Sequence, residues 1–437
     1  MSPVEIGALS VVAIVVMIYL GVYIPVALAS VSFVTLWIVS ERPILAINFL
    51  RQTMIDGATE YEFATIPLFT FMGLLVSKAG LGKDVYDVMN QAFHRVRGGI
   101  GMATVGANAV FAAVTGSSIA SASVFTKVSV PEMLRLDYNK RFAVGVVAGS
   151  SVLGMIIPPS AMLIIYSFVA EVSVGEMFIA GIIPGIVLAL AYIAGIGLMG
   201  RIAPRAIGGR IEEMPDHEIM GWGQIFSKTA PIVALILIVL GGIYTGWLTP
   251  VEAGAAGSLA ALVIAVIRMR MTVGSFWEAL LETGHITASI LFLIIAASFY
   301  SRMLGFVDLP NELQRFLAEQ NLTFFWIMFA YVLLMLFLGT LLDTASIILI
   351  VVPLFIDVIE PMGMSLIWFG IVTVIGAEIG LLTPPLGISC FVIKATLNDD
   401  RIALKDVFLG ALPFAAVMLV VLIIIIRFPA LSTYLLN

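Results

Sequence analysis

Of the 437 residues, 61% are hydrophobic and 11% are charged, against about a quarter charged in an ordinary soluble domain. That composition excludes a water-soluble fold, and no nucleic-acid partner is expected. The net charge of −6 adds little, because membrane orientation follows Lys and Arg placement rather than net charge. One cysteine, Cys390, excludes an internal disulfide. The three histidines show none of the Cys/His spacings that bind zinc; His94, His217 and His285 read as loop or helix-end residues.

Apolar stretches of roughly 17 to 25 residues, enough to cross ~30 Å of hydrocarbon, recur along the chain. The N-terminus, MSPVEIGALSVVAIVVM, has no basic residues ahead of its apolar core and reads as a retained first helix rather than a cleaved signal. Crossings are predicted at 4–21, 25–40, 61–80, 141–170 and 176–200, then at 230–245, 250–267, 285–305, 366–397 and 405–427. Segments 44–57 and 272–283 mix polar and apolar residues and read as interfacial helices. Residues 201–229 form the one sizeable polar interval and read as a cytoplasmic connecting loop.

The two halves repeat. A shift of 225 to 226 residues sets YLGVYIPV (19–26) on YTGWLTPV (244–251) and GMIIPPSA (154–161) on GLLTPPLG (380–387). Internal repeats of this kind mean a duplicated structural unit. The same shift superimposes VTGSSIASAS (114–123) on TLLDTASIIL (340–349), so Asp343 corresponds to Ser117. The predicted division is a first repeat, 1–200, and a second, 230–437. Scaffold helices occupy 1–80 and 230–305; a hairpin and a broken helix occupy 98–170 and 324–397.

Basic residues give the repeats opposite senses. His94, Arg95, Arg97, Arg135, Lys140 and Arg141 flank the first polar stretch, whereas Asp308, Glu312, Glu319, Asp357 and Glu360 dominate the flanks of the second. By the positive-inside rule, the first enters from the cytoplasm and the second from outside. A segment with both flanks on one side must turn back, so 98–130 and 324–356 read as re-entrant helical hairpins. Five further crossings per half, an odd number, invert the second repeat relative to the first.

Pro158-Pro159 and Pro384-Pro385 each delete two backbone donors and should interrupt their spans. Non-helical backbone at membrane depth is tolerated only where protein or a water-filled cavity satisfies it. Two hairpin tips and two broken helices in an inverted pair form the pattern of a secondary transporter, with a midplane site where helix N-termini face an anion and freed carbonyls face a sodium ion. Hydroxyls line both tips: Thr115, Ser117, Ser118 and Ser121 in the first, and Thr340, Thr344 and Ser346 beside Asp343 in the second. Small hydroxyl residues also serve as packing residues in membrane helices. Asp at a helix centre costs about 2.5 to 3.5 kcal/mol on insertion scales, so Asp343 should face a cation, a polar cavity or a structural hydrogen bond at the tip. Glu378, one turn before the second break, is a lesser candidate. Glu252 should lie at an interface, and Arg302, Lys394 and Lys127 can snorkel.

VTGSSIASAS, GMIIPPS, FLGTLLDTASIILIVVPL and GLLTPPLG, in that order, resemble the large membrane subunit of the tripartite ATP-independent periplasmic (TRAP) transporters, the DctM type, and the likeness spans essentially the whole chain. The resemblance implies an all-α polytopic membrane protein of inverted-repeat, elevator type in the bacterial inner membrane. It implies sodium-driven uptake of an organic acid, such as a C4-dicarboxylate or a sialic acid, delivered by a periplasmic binding protein. A small four-helix membrane subunit is the implied constant partner, expected here as a separate chain; sodium ions are the coupling ions, and no cofactor is implied. Carried over by motif, one sodium site involves Ser117, Ser118, Gly154 and Pro158, and the other involves Thr340, Asp343, Thr344, Gly380 and Thr383. Solute contacts fall to Thr115, Gly116, Ser121, Pro159, Ser346, Pro384 and Pro385. Two rivals are a self-sufficient sodium/carboxylate symporter or anion antiporter, whose tips typically read Ser-Asn-Thr, and an intramembrane aspartyl protease. The latter needs two acids; Tyr86-Asp87, read as part of a polar cytoplasmic loop, supplies one, and no Gly-x-Gly-Asp occurs.

Overall fold

The structure is a computed structural model that describes residues 1–209, 219–320, 322–385 and 387–436. Among the described residues the chain is helical, with no strand and one isolated bridge between Tyr138 and Gly208. Among the described residues, six helices are long and apolar enough to cross a bilayer, or up to eight if two bent pairs each count as one span.

Helix starts follow local chemistry. Ser2 and Glu5 close a capping box ahead of Pro3–Tyr19, and Thr249 and Glu252 do the same ahead of Pro250–Ile267. Each arrangement satisfies two orphan backbone donors reciprocally, and it leaves Glu252 exposed at the helix end. Gly21 and Gly246, matched by the repeat, both take positive φ (87° and 72°). That conformation costs a residue with a Cβ roughly 1–2 kcal/mol and glycine little, and it lets the chain reverse before Ile24–Ser40 and Pro250–Ile267.

Both hairpins and both broken helices are present as helical elements. Hairpin 1 comprises Gly99–Thr115 and Ser118–Arg135; hairpin 2 comprises Phe324–Gly339 and Thr344–Ile359. The first broken helix runs through Lys140–Ser151 and Leu153–Ile156, then resumes at Ala161–Ala170 with a 42° bend. The second runs Leu366–Leu381 and resumes at Ile388–Leu397. Each Pro-Pro bond is cis. Single prolines at 131, 184, 353 and 413 sit inside continuous helices, so the break coincides with the doubled proline, where two successive amides are missing.

Contacts recur under the same shift. Ala161–Ala170 packs on Thr344–Ile359, and Ile388–Leu397 packs on Ser118–Arg135. Likewise Ile24–Ser40 packs on Val273–Phe306, and Thr65–Lys78 packs on Pro250–Ile267. Lys140–Ser151 meets Leu404–Arg427 at a glycine pair, where a Cβ on Gly145 would lie 2.1 Å from the Gly410 carbonyl oxygen. Tyr166 and Trp368, both buried, donate to the carbonyls of Leu366 (2.6 Å) and Ile425 (3.0 Å), which satisfies their polar atoms inside the core.

Four expectations change. Segments 272–283 and 285–305 are one continuous helix, Val273–Phe306, of 34 residues. No proline divides them, and a single Gly284 costs only about 1 kcal/mol. The loop expected at 201–229 is shorter, because Val174–Ile202 runs on, Pro204–Ile207 adds a turn and the next helix begins at Trp222. His217 lies outside the described residues, and His285 is an exposed mid-helix residue rather than a helix end. Tyr86 and Asp87 belong to a helix, Leu81–Phe93, whose buried Leu81, Val85 and Tyr86 form one face. Asp84 of that helix is paired with Arg268 and Arg270, and Asp87 with Lys228. A second amphipathic helix, Leu309–Glu319, occupies the matching place before hairpin 2. Arg302 reaches Asp56 at 2.5 Å and Lys394 the carbonyl of Asp399 at 2.8 Å. The Arg401 hydrogen bonds draw the Asp399 carboxyl down to about 2.

Candidate functional site

At the first tip, the helix Gly99–Thr115 ends on Gly116 in the left-handed region (φ 59°), whose amide reaches the Ala112 carbonyl at 3.1 Å. The next helix then needs a cap, because its first amides have no intrahelical acceptor. Ser117 supplies it: its Oγ accepts from the Ala120 amide at 3.3 Å. The tip sits on the first break. A Cβ on Gly116 would lie 2.4 Å from the Pro159 carbonyl oxygen, and one on Gly154 would lie 2.8 Å from Ser117 backbone atoms. Across this seam the Ala161 amide donates to the Gly116 carbonyl at 3.4 Å. Pro158, Pro159, Ser118 and Ser121 are buried, and the Ser121 hydroxyl has no hydrogen-bond partner among the described residues.

The second tip repeats the construction with an acid. Asp343 caps Thr344–Ile359; Oδ2 accepts from the Ser346 amide at 3.2 Å, and Oδ1 accepts a short hydrogen bond from the Ser346 hydroxyl. Ala120 and Ser346 are matched by the 226-residue shift, so Ser117 and Asp343 cap the same amide in their respective halves. The tip again sits on its own broken helix, with a Cβ on Gly339 falling 2.7 Å from the Gly380 Cα. Here the environment differs: Pro384 and Pro385 are exposed, Asp343 and Thr383 are half-buried, and Thr344 and Ser346 are buried.

Hydrogen bonds around the tips share a direction. Thr115 donates to the Phe111 carbonyl (2.9 Å), Thr340 to the Phe337 carbonyl (2.8 Å), Thr383 to the Gly380 carbonyl (2.6 Å) and Thr344 to Glu378 Oε1 (2.7 Å). A hydroxyl carries one proton and two lone pairs. With the proton committed, what each offers to anything else is oxygen lone pairs, the donor chemistry of a hard cation site.

The residues expected at the first site (Ser117, Ser118, Gly154, Pro158, with Thr115, Gly116 and Pro159) therefore lie around one tip and its break. Those expected at the second (Thr340, Asp343, Thr344, Gly380, Thr383) lie around the other. Crossed packing of Ala161–Ala170 on hairpin 2 and Ile388–Leu397 on hairpin 1 ties the two constellations together. A cavity of about 590 Å³ opens beside the first tip; its walls include Thr115, Gly116, Ser117 and Pro159 together with Lys78 and Glu282.

Sequence reasoning missed three functional-looking residues. Ser160 follows the proline pair and caps Ala161–Ala170, accepting from the Leu163 amide at 3.5 Å and donating to the Met155 carbonyl at 2.6 Å; a Ser directly before an apolar helix was the available signal. Lys78 and Glu282 stand far apart in sequence, and no periodicity joins them.

Capped tips seated on broken helices within a many-span helical chain define a polytopic membrane transport protein. The model of the "Tripartite ATP-independent periplasmic transporter, DctM component" family matches residues 11–431, and the chain belongs to that family. It is a transport protein and not an enzyme, so the protease alternative falls. It is 30% identical to the C4-dicarboxylate TRAP transporter large permease protein DctM of Pseudomonas aeruginosa, over 90% of each chain. It is 28% identical to the sialic acid TRAP transporter large permease protein SiaM of Vibrio cholerae (92% of each) and 28% identical to the 2,3-diketo-L-gulonate TRAP transporter large permease protein YiaN of Escherichia coli (88% of this chain, 89% of that one). Its fold is also similar to that of the Alcanivorax borkumensis YdaH transporter, with a TM-score of 0.64 at 13% identity over 89% of this chain and 90% of that one.

The cap geometry gives a stability test. Asp343→Ala, which removes the acceptor, should destabilise the protein by about 1 kcal/mol, whereas Asp343→Asn keeps an acceptor and should cost only a few tenths. Thermal unfolding in sodium-free detergent should order them wild type, Asn, Ala; equal midpoints for Asn and Ala would contradict the cap.

Proposed function

We propose that this chain is the large permease of a sodium-coupled TRAP system that imports an organic acid across the bacterial inner membrane. The observation that carries the reading is the matched pair of caps, Ser117 and Asp343, each beside a threonine, Thr115 at the first tip and Thr344 at the second, whose proton is held by another acceptor. In this reading, sodium ions bind at the two tips: Ser117, Ser118, Gly154 and Pro158 serve one, and Thr340, Asp343, Thr344, Gly380 and Thr383 serve the other. The solute carboxylate meets Thr115, Gly116, Ser121 and Pro159, with Ser346, Pro384 and Pro385, near helix N-termini whose free amides and positive dipole ends attract an anion.

The hairpins are re-entrant, and residues 1–200 and 230–437 are inverted repeats. Segments 98–170 and 324–397 move together as an elevator against scaffold helices in 1–80 and 230–305. The reciprocal contacts between halves support this division. A periplasmic binding protein delivers the solute, and a small four-helix membrane subunit completes the complex. The named relatives carry C4-dicarboxylates, sialic acid or 2,3-diketo-L-gulonate; all are carboxylic acids, which supports that solute class here.

Reconstituted with its small partner and a loaded binding protein, the chain should import its carboxylate only under an inward sodium gradient. Asp343→Asn should abolish that uptake or its sodium dependence while leaving the protein folded; sodium-independent uptake by the wild type would contradict the mechanism. Cysteines introduced as Asp137→Cys and Glu312→Cys should label from opposite sides of the membrane, and labelling from one side would contradict the inversion.

A further inference from the structure

Glu378 lies on Leu366–Leu381, 34 residues beyond Thr344, yet the two side chains meet: Thr344 Oγ1 donates to Glu378 Oε1 at 2.7 Å. Both are buried, Glu378 with 0% exposure. The other oxygen, Oε2, is buried with no hydrogen-bond partner among the described residues. An acid held this way is not a member of a closed structural network, and a buried orphan oxygen calls for a reason.

The direction of the bond supplies one. A freely rotating hydroxyl can turn its proton toward an arriving cation and repel it. With the proton held by Glu378, the Thr344 oxygen presents only lone pairs, and it does so next to Asp343, the residue that precedes it at the tip. The close approach of Gly339 and Gly380 brings the helix that carries Glu378 against the tip, so the acceptor is carried on a packed element. The matching position in the other half is Val152, whose side chain has no acceptor, so the device belongs to the second tip alone.

Resting on the sodium reading of that tip, we infer that Glu378 is a positioning residue for the hairpin 2 cation site, acting as the acceptor that aims the Thr344 oxygen. Partners that orient ligands typically change metal affinity about 10- to 100-fold when removed.

The test is equilibrium binding of radioactive sodium to the purified complex of this chain with its small partner. Glu378→Gln keeps an acceptor oxygen and should hold half-saturation within about threefold of wild type, whereas Glu378→Met should raise it about tenfold or more. Thr344→Ala should raise it by a similar factor, and adding Glu378→Met to Thr344→Ala should change nothing further, because one residue acts through the other. Additive effects overturn the inference, as does a Glu378→Gln that loses sodium as badly as Glu378→Met. Wild-type affinity in Glu378→Met, alongside lost binding in Asp343→Asn, overturns it while leaving the sodium site standing. No sodium binding by the wild type overturns the underlying reading instead. Should Glu378→Met fail to fold, Thr344→Ala decides: wild-type sodium affinity there overturns the inference.

Discussion

The tips depend on one constraint: a helix that starts inside protein must find acceptors for its first amides. Ser117 and Asp343 answer it at equivalent positions, each capping the amide three residues on. Much else follows from the same need. The glycines at 116, 154, 339 and 380 let backbone approach backbone, so that each tip lies directly on its own broken helix. Ser160 repeats the solution where the first broken helix resumes.

The two halves answer the same constraint with different chemistry. The first break is buried and its cap is neutral; at the second, the proline pair is exposed and the cap is an acid. Glu378 adds a second carboxyl beneath that acid, where the other half has Val152. The repeat thus carries two non-equivalent tips, one lined by neutral oxygens and one with charge. Neutral hydroxyls spare the first tip a buried charge, while Asp at membrane depth is costly enough to need a compensating partner.

Much of this was legible in the sequence. The repeat, both tips, both proline breaks and the Gly21 and Gly246 turns are written as local motifs, and such features depend on neighbours in the chain. The Thr344–Glu378 bond, the pairing of Asp84 with Arg268 and the joint exposure of Lys78 and Glu282 to one cavity are long-range facts that periodicity does not encode. The helix Val273–Phe306 looks like two pieces in the sequence because its polar first third resembles an interfacial segment, although nothing in it stops a helix. Leu81–Phe93 and Leu309–Glu319 escape a sequence reading for a related reason: short amphipathic helices carry as many charges as loops, and the buried Leu81, Val85 and Tyr86 that set the first apart come from its packing.

Asp343 therefore holds two offices, a cap that the geometry displays and a cation ligand that the transport reading requires. Its carboxylate can serve both, since two oxygens offer about four lone-pair positions. The most direct measurement is anomalous scattering from crystals in which thallium, a heavy monovalent cation, replaces sodium. The account predicts a peak in contact with the oxygens of Asp343 and Thr344. Peaks confined to other parts of the molecule, with none at either hairpin tip, would contradict it.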